Sequence, residues 1–188
     1  MIGTQRSTVD MSLGENEALT LQDIYDELEE IEDQEQLDNV LLYSSDTPYI
    51  VATRGSSNVF VTVKHYREID KPLEVNQEIP ETEMIELWSH VVRSMHHTTQ
   101  TKKLELYEYM YSRVFKCGIA EIDSEGSLYL SSTLPTKSLS PEYCARYIAE
   151  FAEFCDGIDT HIAQNWDGLT ARDEGPELDQ GSTNHAEY

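Results

Sequence analysis

The apolar positions of this chain follow a helical period near its start, alternate through its middle and return to a helical period towards its end. Leu21, Ile24, Tyr25, Leu28 and Ile31 fall on one helical stripe, while Glu27, Glu29, Glu30 and Glu32 occupy the other faces. Thr20 stands where an N-cap belongs, and Asp23 follows three residues later as a capping-box variant. Leu19 before the cap and Ile24 after it fit a hydrophobic staple.

Strands are predicted next. Val40 to Tyr43 is apolar, Asp46-Thr-Pro48 turns the chain, and Tyr49 to Thr53 is a second strand. Arg54-Gly-Ser-Ser57 reads as a hairpin loop. Val59, Val61 and Val63 then alternate with Phe60 and Thr62 in a third strand. Asp70 to Pro80 reads as a loop. From about Glu81 to His97, Met84, Trp88, Val91, Val92 and Met95 predict a second helix. Another follows from about Lys102 to Phe115, with Leu104, Tyr107, Met110, Tyr111 and Val114 on one side. Ile119 to Ile122 and the alternating Leu128 to Ser131 form a strand pair around Asp123-Ser-Glu-Gly126, with Leu134-Pro135 ending the second strand. Ser140 is placed as an N-cap, with Pro141 at the first helical position, where its missing N–H costs nothing. Behind them Cys144, Tyr147, Ile148, Phe151, Cys155 and Ile158 recur on one helical face.

Strands and helices are clustered, not strictly alternating. The expectation is therefore α+β: an antiparallel β-meander of about five strands with helices packed on one face. Polar residues 1–17 read as a disordered acidic arm, 18–163 as a single domain, and 164–188 as a disordered acidic tail.

Charge sharpens this picture. The 188 residues carry a net charge of −23, of which −11 falls in residues 1–39, −7 in residues 156–188 and only −5 between them. Salt adaptation would also give an acidic chain, but with the excess spread over the whole surface. Nucleic acid is not an expected partner, because a phosphate backbone needs clustered Lys and Arg. Basic or amphipathic polypeptides are favoured on long-range electrostatics. No apolar run approaches the roughly 20 residues of a membrane helix, and no signal peptide is visible, so a cytoplasmic location without membrane insertion is expected. Cys117, Cys144 and Cys155 form no C-x-x-C pair and read as reduced thiols, two of them in the core.

Candidate chemistry is sparse. No phosphate-cradling glycine loop, nucleophile elbow or H-E-x-x-H helix is present, and Ser131-Ser132 has no base nearby in sequence. On the predicted second helix, Glu86, His90 and His97 could share a face and offer zinc ligands; a solvated or helix-capping role is the alternative reading. No catalytic residue and no cofactor is expected, and the metal reading is kept only as a lesser alternative. Tyr49, Phe60, Trp88, Tyr107 and Tyr111 are the candidate partner-binding residues. Large side chains of this kind, and tyrosine above all, suit interfaces.

One resemblance adds to this. The runs Leu106 to Met110, Gly118 to Leu130, Leu134-Pro135, Leu139 to Tyr143 and Phe151 to Phe154 resemble the YbjN-like proteins, which share a fold with type III secretion chaperones. The resemblance implies a small acidic α+β protein, often a homodimer, that binds polypeptide and performs no known reaction. Residues 80–101 depart from that pattern, as an additional helix or an enlarged connection. The expected function is a non-enzymatic, chaperone-like, protein-binding one. The alternative is an adaptor or regulatory component that acts through its acidic tails.

Overall fold

The computed structural model of the protein describes residues 18–34, 36–67, 81–93, 95–113, 118–123, 126–137, 139–166, 168 and 170. The predicted arm over 1–17, the loop over 70–80, Cys117, and the tail beyond residue 170 lie outside the described residues.

The chain runs α1 (Leu21–Asp33), β1 (Asn39–Tyr43), β2 (Tyr49–Arg54), β3 (Ser57–Arg67), β4 (Glu81–Val92), a 3-10 turn (Met95–His97), α2 (Gln100–Arg113), β5 (Gly118–Ile122), β6 (Leu128–Pro135) and α3 (Pro141–Trp166). The strands make one antiparallel six-stranded sheet in the order β1-β2-β3-β4-β6-β5. The first four form a meander. The β5–β6 hairpin joins it through β6, which leaves β5 and β1 at the two edges. The α+β expectation holds, with one strand more than anticipated.

Local chemistry sets the ends of the elements. The Thr20 hydroxyl accepts from the Asp23 N–H at 3.2 Å, and the Asp23 carboxylate accepts from the Thr20 N–H at 2.9 Å, closing the capping box. The Ser140 hydroxyl accepts from the Tyr143 N–H at 3.2 Å and so starts α3. Gly126 takes a positive φ of 77° in the β5–β6 turn.

The expected helix over Glu81–His97 is instead the central strand β4, followed by the 3-10 turn. The anticipated stripe of Met84, Trp88, Val91, Val92 and Met95 competes with a period of two: Ile85, Leu87, Ser89 and Val91 are all buried. Pairing with β3 on one side and β6 on the other satisfies the backbone along most of its length, and that outweighs the helix propensity of its Glu, Met and Leu residues. The segment expected as an additional helix or an enlarged connection thus supplies a fourth strand, Glu81–Val92.

Helices α1 and α3 pack against each other and onto one face of the sheet. That inner face carries Ile50, Ala52, Val59, Val61, Ile85, Leu87, Leu128 and Leu130, which join Ile24, Leu28, Ile148, Phe151 and Ile162 in one core. Helix α3 continues to Trp166, beyond the expected domain end at 163. Its last carbonyl accepts from the Thr98 hydroxyl at 2.8 Å. Among the described residues, no helix is long and apolar enough to cross a membrane.

Candidate functional site

Side chains alternate across a strand, so the residues between the core positions form a second, outer face. In register across all six strands, this face holds the row Leu41, Val51, Phe60, Trp88, Ser131 and Ile119. Tyr43 pairs with Tyr49 two positions to one side, and His90 with Tyr129 two positions to the other. None of these residues belongs to the core cluster, nor do they pack against it.

The rings touch in sequence. Tyr43 and Tyr49 stack at 4.8 Å between centroids, Tyr49 and Phe60 lie 6.2 Å apart, and Phe60 and Trp88 stack at 4.1 Å. Trp88 meets His90 edge-on at 5.4 Å, and His90 lies 4.1 Å from Tyr129. An aromatic band therefore crosses β1, β2, β3, β4 and β6 diagonally. Cross-strand aromatic pairs of this kind add about 0.5–1.5 kcal/mol each beyond area burial.

The orientation of the rings limits what the band can hold. Tyr43/Tyr49 and Phe60/Trp88 are within 10° and 8° of parallel, so within each pair one face of each ring is covered by its neighbour. Those pairs present edges outward. A nucleobase or sugar ring needs an open face to stack on, whereas an apolar side chain packs well against ring edges. Ring edges carry the positive end of the quadrupole.

Charge on this face is low. Lys64 and Glu86 form an ion pair beside the band. Glu121 faces Tyr129 in register and is exposed, and Asp46 is exposed in the turn between Tyr43 and Tyr49.

Of the residues expected to bind a partner, Tyr49, Phe60 and Trp88 come together in the band. Tyr107 and Tyr111 do not: they sit on α2, and Tyr111 is 79% exposed, so it rims no core. Tyr43, His90 and Tyr129 complete the band, and single-strand periodicity gave no sign of them, because only sheet register places them beside Phe60 and Trp88. The zinc reading fails on geometry. Glu86 and His90 lie on a strand, where four residues span roughly 13 Å, and His97 is in the 3-10 turn. Among the described residues, no group of three or more His, Cys, Asp or Glu is placed to hold a metal ion. Ser132 is buried, with its hydroxyl 2.8 Å from that of Tyr147.

Comparison with protein-family models finds no match to this chain, and comparison with curated proteins finds none either.

Proposed function

We propose that this chain is a non-enzymatic, chaperone-like protein that binds a polypeptide on the outer face of its sheet. The observation that carries the reading is the continuous aromatic band on the face that α1 and α3 leave uncovered. Contiguous apolar surface of this sort marks interaction sites in soluble proteins. The YbjN-like, type III secretion chaperone-like resemblance of residues 104–158 points the same way and is part of this proposal. So is a cytoplasmic setting, which the unpaired buried thiols of Cys144 and Cys155 suit.

The test is co-purification of the full chain beside a Phe60→Ser, Trp88→Ser variant, with bound material identified by mass spectrometry. The reading requires a polypeptide that the parent retains and the variant loses. Material held equally by both, or metabolites alone, would overturn it. Removing residues 1–17 and 171–188 separates the rival adaptor reading, in which the acidic ends do the binding. A band-binding protein keeps its partner after this deletion.

A further inference from the structure

The shape of the band and the charges at its two ends define its occupant more closely; this inference rests on the sheet-face reading above. Between Tyr43 on β1 and Tyr129 on β6 lie four inter-strand steps. At about 4.8 Å per step, with a drift of some four residues along the strands, the diagonal is on the order of 20–25 Å. A strand adding to the sheet would run along an edge, parallel to the strands, and would not follow this line. A helix laid across the strands would. At 1.5 Å per residue it needs about 14–16 residues, and a helix 10–12 Å wide covers the band.

Charge adds the second constraint. The middle of the band is neutral, because Lys64 and Glu86 pair with each other. Its ends are acidic: Asp46 lies in the turn that joins the Tyr43/Tyr49 pair, and Glu121 sits opposite Tyr129. The whole chain carries −23, a field that draws in cations and repels a second copy at low salt.

We infer that the outer face holds an amphipathic α-helix of a partner protein, about four turns long, laid diagonally over Phe60 and Trp88 with basic residues at both ends. The apolar stripe of that helix meets the ring edges. Its terminal Lys or Arg side chains reach Asp46 at one end and Glu121 at the other.

The probes are synthetic peptides of about 16 residues with one Leu stripe, titrated against the full chain by Trp fluorescence and isothermal calorimetry at low and high salt. One carries Lys at both ends, one carries Glu there, and one is the Lys peptide with a central Pro that breaks the helix. The Lys-ended helix should bind at least about ten-fold tighter than either of the others, with the margin over the Glu peptide shrinking in salt. Phe60→Ser should weaken it at least about ten-fold. The exposed pair Asp46→Lys, Glu121→Lys, whose folding is checked by circular dichroism, should invert the preference between Lys and Glu ends. Equal binding of Lys and Glu ends overturns the charge assignment. Equal binding of the Pro peptide overturns the helix. A sedimenting dimer that Phe60→Ser, Trp88→Ser dissociates and that excludes the Lys peptide assigns the face to a second copy and also overturns the inference. If no peptide binds while the co-purified polypeptide is still lost on Phe60→Ser, Trp88→Ser, this inference fails and the broader sheet-face reading stands.

Discussion

Among single residues, Gly55 and the two buried cysteines show how tightly the sequence is constrained. Gly55 sits at the β2–β3 turn with a φ of +55°, and a Cβ there would lie 2.0 Å from Oδ1 of Asp156. Both the backbone and the space demand glycine. Gly55→Ala should lower stability by about 1–3 kcal/mol in urea denaturation, whereas Gly157→Ala, which meets nothing within 4 Å, should be neutral or stabilising by up to about 1 kcal/mol. Burial pushes the Cys144 thiol up to about 11 and the Cys155 thiol up to about 12. Neither forms appreciable thiolate at neutral pH, and both lie on the buried side of α3 with no exposed surface. In a Cys117→Ser chain, a disulfide reagent at pH 8 should find no rapidly reacting thiol until denaturant is added, and then two.

At the level of the element, the tip of the β2–β3 hairpin is held to α3 by carboxylates. Asp156 accepts from the Ser56 N–H at 2.8 Å, and the Ser56 hydroxyl lies within reach of both Asp156, at 3.1 Å, and Asp159. One hydroxyl proton cannot serve two carboxylates at once. Asp159 has no exposed surface, and burial, with the Asp156 charge adding to it, raises its pKa despite hydrogen bonds from Ser56 and Thr160. A proton on Asp159 would let it donate to Ser56 while Ser56 donates to Asp156. A carboxyl whose pKa is higher folded than unfolded contributes stability that is complete below its unfolded value and lost as pH rises through its folded value. Asp159→Asn removes that loss. Relative to the parent, the variant should therefore gain stability as pH rises above about 4, the ordinary value of an unfolded carboxyl, and gain nothing further below it, as read from paired urea melts. The sequence made such local features easier to read than non-local ones. The caps at Thr20 and Ser140 and the Gly126 turn depend on neighbours in sequence and were legible. Strand β4 was not, because Met84, Trp88 and Val91 fit a helical stripe as well as Ile85, Leu87 and Val91 fit a strand. Pairing with distant β3 and β6 decided the matter. The outer face was half legible for the same reason: Tyr49, Phe60 and Trp88 stand out one by one, but their union with Tyr43, His90 and Tyr129 is a property of register.

For the whole molecule, the far end of α3 closes the structure. Trp166 packs near Tyr109, and Thr98 ties its carbonyl to the corner between β4 and α2. Gly168 lies where a Cβ would come 2.0 Å from a Val92 methyl. A chain ending at 163 should therefore melt well below one ending at 170, by about 3 kcal/mol or more in chemical denaturation, since it loses a buried indole and the bond from Thr98. The sheet order carries one more consequence. Strands β1 to β3 meet through tight turns, but β6 reaches β4 only after the chain has passed through α2 and the edge strand β5. Closing that long circuit has an entropic cost that the hairpins do not share. Assembly should then be ordered in time: in pulsed hydrogen exchange, amides paired between β2 and β3 become protected first, and those paired between β4 and β6 last.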